Sequence, residues 1–158
     1  MSGVLVVGFG NSLAGDDGAG PALVERLRKA VLPPGARVED GGSDSLQLSA
    51  LWQGEREIWL VDALVRKEPP GSIIRLAHDE ILSIPQRHAT VHHLSLPESL
   101  RLIALTEPAM AGVRYRLWGI VPASIHLGDP LSAPVAAAVE LVAGEVLREL
   151  SLFAAAPA

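Results

Sequence analysis

The amino-acid sequence predicts an α/β fold, a three-layer sandwich of helices around a largely parallel sheet. Apolar runs of strand length alternate with segments of helical periodicity, in the order βαβαββαβα. The 158 residues suffice for one well-buried core but not for two ordinary domains, and no linker, repeat or low-complexity tract divides them. We therefore expect a single α/β domain over residues 1–150.

The first half of the chain supplies strands and helices in turn. The continuous apolar run Val4–Val7 indicates a strand that is covered on both faces. A helix is expected over Ala22–Val31, with Pro21 in its first turn, where the missing N–H costs nothing. The short strand Arg37–Glu39 then leads through a turn to a helix of about ten residues, which Gly54 ends.

The middle of the chain contains two further strands and a helix. The run Glu57–Asp62 predicts a third strand, and the alternating segment Ser72–Ala77 predicts a fourth that is more exposed. The segment His78–Val91 has no regular pattern, so we expect irregular structure there. The sequence Ser95-Leu-Pro-Glu98 is typical of a capping box, which predicts a helix over Leu96–Leu105.

The chain ends with a strand, a long helix and a short tail. Val113–Val121 predicts the last strand. The last helix is expected from Ala133 or Pro134 to Leu150, because apolar residues recur along it at helical spacing. Residues 151–158 are mostly small and have little to bury, so we expect a frayed tail.

Composition excludes several classes of protein. With 13 basic and 18 acidic residues, the chain has a formal net charge of −5 and no basic cluster, which argues against nucleic acid or an anionic membrane as a partner. The absence of cysteine excludes disulfides, zinc–thiolate sites and a cysteine nucleophile. The N-terminus has no basic n-region, and no apolar run reaches roughly 18–20 residues, the length of a membrane span, so we expect no signal peptide, no membrane span and a cytoplasmic protein.

The loop after the first strand carries the main functional signal. It reads Gly8-Phe-Gly-Asn-Ser-Leu-Ala-Gly-Asp-Asp-Gly-Ala-Gly20. Glycine-rich turns at this position usually hold phosphate on backbone amides. This loop has the carboxylates of Asp16 and Asp17 and no Lys or Arg, so it should repel a phosphate and favour a cation. Leu13 stands where a dinucleotide motif would have its third glycine, which also argues against nucleotide or flavin binding.

Other polar residues are expected at the same edge of the sheet. Sites in open α/β sheets form outside the carboxyl ends of the strands. Residues from three loops and from the approach to a later helix should meet there: Asp16, Asp17, Asp40, Ser43, Asp44, Asp62, His92 and His93. A set of two aspartates and a histidine suits nickel, zinc, cobalt or manganese, and three protein ligands with one open position are usual in catalytic sites.

Each candidate also has a structural explanation. Asp16 or Asp17 would cap the first helix. Asp62 would accept a structural hydrogen bond, and Asp40 would order its own turn. The paired histidines would lie on the surface, and three further histidines have no spacing that selects them: His78, His88 and His126. The signatures of P-loop enzymes, serine hydrolases with a nucleophile elbow and His-Glu-x-x-His metalloproteases are absent from the sequence.

Taken together, the motifs resemble those of the hydrogenase maturation endopeptidases, which trim the C-terminus of the large subunit of nickel–iron hydrogenases. The resemblance rests on the first loop and on later blocks in the same order: Asp40-Gly-Gly-Ser, Leu60-Val-Asp-Ala63, Thr90-Val-His-His-Leu94 and Trp118-Gly-Ile-Val-Pro122. It implies a phosphorylase/hydrolase-like α/β/α sandwich with a mostly parallel, mixed five-strand sheet. Ser72–Ala77 would be the antiparallel strand.

The resemblance also implies a site and a reaction. By position, the family's metal ligands fall on Asp17, Asp62 and His92, with His93 as the alternative histidine. The implied protein is an aspartyl-type, nickel-dependent endopeptidase acting on a nickel-loaded large-subunit precursor. The substrate would supply the nickel, and zinc or another divalent metal would substitute in vitro. Asp16 would assist proton transfer or orient the attacking water.

Two other functions stay open at the level of sequence. One is a different metal-dependent amide hydrolase on the same scaffold. The other is a non-catalytic, metal-sensing chaperone or binding module for a metalloenzyme subunit. A monomer is the simplest expectation for the free protein.

Overall fold

Five strands and five helices are present in the computed structural model of the chain, which describes residues 1–85 and 94–157. The strands are β1 (Val4–Phe9), β2 (Ala36–Gly42), β3 (Glu57–Ala63), β4 (Ile73–Ala77) and β5 (Arg114–Ile120). The helices are α1 (Ala19–Arg28), α2 (Leu48–Leu51), α3 (His78–Leu82), α4 (Leu96–Thr106) and α5 (Ala133–Ala155). Short 3-10 turns lie at Gly15–Gly18, Ser45–Gln47 and Pro108–Met110.

One mixed sheet contains these strands in the order β2-β1-β3-β5-β4. The strands β2, β1, β3 and β5 run parallel, and β4 runs antiparallel to β5. The carboxyl ends of the four parallel strands therefore meet at one edge, where β3 ends between β1 and β5. The predicted mostly parallel, mixed five-strand sheet is confirmed, and the antiparallel strand is the one expected from the resemblance.

Helices cover both faces of the sheet. On β1, Val4 and Val6 belong to the apolar layer under α1 and α5, whereas Leu5 and Val7 belong to the layer under α2, α3 and α4. This alternation follows from the two-residue period of a strand, and every residue of β1 is buried because both faces are covered. The predicted three-layer α/β/α sandwich is confirmed.

Glycines allow β1 and α1 to approach at backbone contact. A Cβ atom at Gly20 would collide with the backbone of Phe9, and a Cβ atom at Gly8 would collide with the backbone carbonyl of Gly20. Gly10 has a φ of +138°, and the absence of its side chain leaves room for the carbonyl oxygen of Asp17. These glycines are needed to bring Asp17 against the end of the first strand.

Two helices differ from their predicted bounds. The 3-10 turn at Gly15–Gly18 continues directly into α1, which therefore begins at Ala19, and Pro21 lies in its first turn as predicted. The prediction of a ten-residue helix after β2 is wrong, since only a 3-10 turn and the four residues of α2 form there. Trp52 ends α2 with an extended backbone, and its indole N–H donates to the carbonyl of Glu55 at 2.8 Å.

A helix forms where irregular structure was predicted after β4. In α3, the Glu80 carboxylate accepts a hydrogen bond from the backbone N–H of Ala77 at 3.1 Å, which satisfies an otherwise free donor at the helix start. Ile81 is fully buried against the sheet. The rest of the predicted irregular segment, from residue 86, lies outside the described residues. The helix predicted from the capping box is confirmed as α4, and Glu98 accepts from the backbone N–H of Ser95 at 2.9 Å.

The last helix continues beyond its predicted end. α5 runs through Ala155, so the prediction of a frayed tail from residue 151 is wrong for these residues. The ring of Phe153 lies edge-on to Trp59 at a centroid distance of 6.2 Å, and the guanidinium carbon of Arg56 lies 4.7 Å from the Phe153 ring centroid. These contacts hold the final turns against the sheet. Within the described ranges, no helix combines the length and apolar character that crossing a bilayer requires.

Candidate active site

Asp62 lies at the carboxyl end of β3, the strand between β1 and β5. It pairs in register with Gly119 of β5, and its side chain is half-buried. Burial and the negative charge of Asp17 raise the pKa of Asp62 to about 7, although a hydrogen bond from the backbone of Ala63 acts in the opposite direction. Among the described residues, no Lys or Arg forms an ion pair with this carboxylate.

Asp17 occupies the 3-10 turn that connects β1 to α1. Its Oδ2 accepts a hydrogen bond from the backbone N–H of Asn11 at 2.9 Å. It does not cap a helix, because the residues before the 3-10 turn and before α1 are Ala14 and Gly18, and neither start has a capping side-chain hydrogen bond. The capping alternative for Asp17 is therefore wrong. Its charge is close enough to Asp62 to disfavour ionisation of that carboxyl group.

Asp16 is fully buried, and its carboxylate bonds to the loop that follows β5. Its Oδ2 accepts hydrogen bonds from the backbone N–H groups of Ala123 and Ser124 and from the Ser132 hydroxyl, at 2.8, 3.3 and 2.8 Å. Its Oδ1 accepts from the backbone N–H of Ser132 at 2.7 Å. Burial alone would raise the pKa of Asp16, but these hydrogen bonds outweigh it and lower the pKa.

The role of Asp16 is therefore to connect two loops, and the alternative that it caps a helix is wrong. The first loop (residues 10–18) leaves β1, the last loop (residues 121–132) leaves β5, and β3 ends between them. Two backbone hydrogen bonds reinforce the connection: Asp16 N–H donates to Ser124 at 2.9 Å, and Gly128 N–H donates to Leu13 at 2.8 Å. The joined loops span the end of the strand that carries Asp62.

A cleft of about 780 Å³ opens beside Asp62 on the α3 and α4 side of the sheet. Its walls are largely apolar, with Leu64, Leu76 and Leu117 among them, and Arg66 and Glu80 bring charge to its lining. A volume of this size accommodates several residues of an extended chain. A smaller cavity of about 300 Å³ lies between the first loop, α1 and Asp40, and it contains neither Asp17 nor Asp62.

The acids of the turn after β2 have structural roles. Asp40 Oδ1 accepts from the backbone N–H of Gly42 at 2.8 Å, and Asp44 Oδ1 accepts from the backbone N–H of Leu46 at 3.0 Å. Ser43 is exposed. The turn touches the first loop, since Gly10 N–H donates to Gly42 at 2.9 Å, but its acids order their own backbone, as the structural alternative expected for Asp40.

The histidines divide into two groups. His92 and His93, the predicted ligands, and His88 lie outside the described residues, so their roles stay predictions. His78 lies at the start of α3, where its Nδ1 accepts from the backbone N–H of Tyr115 at 3.1 Å and its ring stacks on that tyrosine. Within residues 1–85 and 94–157, no cluster of three or more His, Asp or Glu residues forms a complete metal site.

Several residues of the site have no local sequence signal. The partners of Asp16 lie 107 to 116 residues away in the sequence. Arg66 and Glu80 follow no motif, and they enter the cleft through the loop after β3 and through α3. Arg66 follows Asp62 by four residues, whereas the return of the chain along β4 and the packing of α3 bring Glu80 to the same cleft.

Comparison with known proteins gives one consistent result. A sequence model described as hydrogenase maturation protease matches residues 21–149. The hydrogenase expression/formation protein HupD of Rhodobacter capsulatus is 27% identical over 150 residues, which are 93% of this chain and 70% of HupD. Among solved structures, the hydrogenase maturating endopeptidase HybD of Escherichia coli matches with a TM-score of 0.80 and 27% identity, over 95% of this chain and 93% of that one. The HybD protease of Thermococcus kodakarensis matches with a TM-score of 0.74 and 30% identity, over 94% and 98% of the two chains.

Proposed function

Because the chain belongs to the hydrogenase maturation protease family and is an endopeptidase, we propose that it acts on a hydrogenase large-subunit precursor, removes the C-terminal extension of that precursor and depends on nickel. The observation that carries this proposal is the pair of carboxylates Asp17 and Asp62, which lie close together at the carboxyl edge of the sheet beside an open cleft.

The carboxylate pair fits a divalent cation. Bringing two acids together at a half-buried position is unfavourable, and the raised pKa of Asp62 expresses this cost. A cation between them would remove the repulsion, and carboxylates combined with an imidazole are suitable ligands for nickel or zinc. We propose Asp17, Asp62 and His92 as the ligands, with His93 as the alternative. The nickel would arrive already bound to the precursor.

The chain's own residues would orient the substrate around this position. The Asn11 N–H holds one oxygen of Asp17, and the glycines of the first loop keep its backbone close to β1. The apolar cleft would hold the substrate segment next to the cut, with Arg66 and Glu80 available to its polar groups. A bound divalent metal would polarise the scissile carbonyl and lower the pKa of a water molecule.

The contacts of Asp16 argue against the role in proton transfer that the resemblance implied. Both of its oxygens already accept hydrogen bonds from the last loop, which leaves little capacity to take a proton from water at neutral pH. We therefore propose that Asp16 supports the loop that carries Asp17. The cytoplasmic location and the monomeric state of the free protein remain part of the proposal.

The test is a cleavage assay on a nickel-loaded large-subunit precursor, read by mass spectrometry. We expect loss of the C-terminal extension with the wild-type protein and at least about a 100-fold slower loss with Asp17→Asn or Asp62→Asn. His92→Ala and His93→Ala, assayed separately, identify the histidine. Asp79→Asn is the control. Asp79 is an exposed acid that pairs with Arg114 at the amino end of β5, whereas Asp17 and Asp62 lie at the carboxyl edge of the sheet.

The same assay separates the alternatives. An intact precursor after incubation with wild-type protein would exclude the proposal, and a stable complex without cleavage would favour the chaperone function. Equal cleavage of nickel-free and nickel-loaded precursor would remove the nickel dependence. Cleavage that survives the combined Asp17→Asn and Asp62→Asn changes would leave the activity in place and exclude the site.

A further inference from the structure

Three large apolar side chains are exposed on the joined first and last loops. The exposed fractions are 69% for Leu13, 55% for Ile125 and 77% for Leu127. The loops touch at these positions, since the Gly128 N–H donates to the carbonyl of Leu13 at 2.8 Å. Single exposed leucines are ordinary, but three exposed apolar side chains on two hydrogen-bonded loops beside a candidate active site indicate contact with another protein.

Polar contacts, not core burial, hold this surface in shape. Every residue from Ala123 to Pro130 is exposed except the half-buried Ser124, so the apolar attachments of the last loop are confined to its two ends, at Val121 and Leu131. The buried carboxylate of Asp16 accepts hydrogen bonds from both ends of that loop. An exposed loop that is fixed by a buried charge presents its apolar side chains in a defined arrangement, which lowers the ordering cost of binding.

The position of the surface relates it to the carboxylate pair. Leu13 and Asp17 belong to the same loop, so a protein substrate that reaches Asp17 must lie against that loop. The cleft beside Asp62 is on the α3 and α4 side of the sheet, whereas the last loop leads into α5 on the other side. The two features therefore lie on either side of the end of β3.

We propose that Leu13, Ile125 and Leu127 form a docking surface for the folded body of the large-subunit precursor, while the segment to be cut lies in the cleft beside Asp62. This inference rests on the proposed function. The partner surface is apolar and continuous with the region around the scissile bond. Separate binding of the folded body and of the segment to be cut explains how an endopeptidase with an open cleft acts on one protein. Recognition of the precursor's folded body adds specificity that a short segment cannot supply.

The experiment compares two triple variants on the nickel-loaded precursor. Leu13→Ser, Ile125→Ser and Leu127→Ser are combined in one protein. The matched control combines Leu105→Ser, Leu141→Ser and Leu152→Ser, whose side chains are 82%, 66% and 66% exposed on α4 and α5. We expect the docking variant to raise KM by at least about tenfold with kcat within about twofold of wild type, and the control to leave both unchanged.

Thermal unfolding of each variant establishes that the exposed substitutions leave the fold intact. If the docking variant and wild type have the same KM, or if the control raises KM equally, the docking surface is excluded although the wild-type protein still cleaves the precursor. A fall in kcat at unchanged KM excludes it as well. If the wild-type protein forms a dimer that the docking variant loses, with precursor KM unchanged, the occupant is a second copy of this chain. Absence of cleavage by the wild-type protein refutes the proposed function itself.

Discussion

The carboxylate of Asp16 accepts a hydrogen bond from the backbone N–H of Ser132, 116 residues further along the chain, at 2.7 Å. Ser132 precedes the first residue of α5, so this contact joins the turn before α1 to the start of the last helix. The neighbouring acid, Asp17, lies near enough to Asp62 for its negative charge, together with burial, to raise the pKa of that carboxyl group. Two adjacent acids in one loop therefore have different roles. Asp16 connects the first loop to the last loop, and Asp17 belongs to the candidate site with Asp62.

Asp16→Asn should destabilise the protein by about 2–4 kcal/mol, because an amide presents a donor to N–H groups that need an acceptor. Urea unfolding measures the change. Asp129→Asn is the control, because Asp129 is an exposed acid in the same loop. An Asp16→Asn protein as stable as wild type would mean that the loop is held by other contacts.

The pH dependence of this contribution has a definite sign. The pKa of Asp16 is lowered in the folded protein from its ordinary value of 3.8, by hydrogen bonds that outweigh the effect of burial. The stabilisation is therefore present above pH 3.8 and is lost as the pH falls through the lowered folded pKa. The difference in unfolding free energy between wild type and Asp16→Asn should shrink in that acidic range.

Asp62→Asn should stabilise the metal-free protein while removing its activity. Burial and the charge of Asp17 raise the folded pKa of Asp62 from 3.8 to about 7, so ionised Asp62 opposes folding above that pH. The gain in unfolding free energy, on the order of a few kcal/mol at most, should be complete above pH 7 and vanish toward pH 4. Thermal melts at pH 8 and pH 5 test this, and a variant less stable than wild type at pH 8 contradicts it.

His78→Asn should reduce the loss of stability in mild acid. Burial and the positive charge of Arg114 lower the pKa of His78, with a smaller opposing effect of Asp79, and the neutral ring accepts a hydrogen bond from Tyr115 N–H. As the pH falls below 6.5, the unfolded chain binds a proton at His78 that the folded protein resists, so stability declines. Asparagine keeps a hydrogen-bond acceptor but does not titrate. Unfolding curves at pH 7 and pH 5 measure the loss of unfolding free energy in the wild type and in His78→Asn, with His126→Asn as the control.

Gly20→Ala should destabilise the protein by about 2–4 kcal/mol or prevent folding, because the added Cβ would collide with the backbone of Phe9. Gly144→Ala in α5 is the matched control. Its Cβ would meet only the end of the Arg148 side chain at an ordinary 3.5 Å, so a gain of about 0.5–1 kcal/mol is expected there. Equal changes in unfolding free energy for Gly20→Ala and Gly144→Ala would show that β1 and α1 can move apart without loss of stability.

Much of the fold was predictable because its signals are local. The apolar run of β1 and the capping box before α4 depend on residues that are neighbours in sequence, and both appear in the structure. Predictions that required a distant partner were less successful. The end of α5 depends on Phe153 meeting Trp59, and α3 depends on Ile81 reaching the sheet, so neither was visible in the local pattern.

The predictions about the site residues also depend on which signals the sequence contains. Carboxyl ends of parallel strands share one edge of a sheet, so the sequence alone predicted Asp17 and Asp62 in one region, and the effect of the Asp17 charge on the pKa of Asp62 agrees with it. For Asp40, the sequence left open whether the side chain orders its own turn or belongs to the site. Its carboxylate accepts a hydrogen bond from the Gly42 N–H, which supports the turn-ordering role. His92 and His93 lie outside the described residues, so their assignment as ligands stays a prediction.

The sequence by itself determined the order of the five strands and of every described helix except α3, the position of the acidic loop and the absence of a cysteine-based site, because these depend on residue type and short-range spacing. Only the tertiary structure decided which of two adjacent acids faces the site. Asp16 and Asp17 are chemically identical and consecutive, and no local pattern distinguishes them. The distinction comes from the sheet order, which sets β3 between β1 and β5 and so brings the last loop to Asp16 and Asp62 to Asp17.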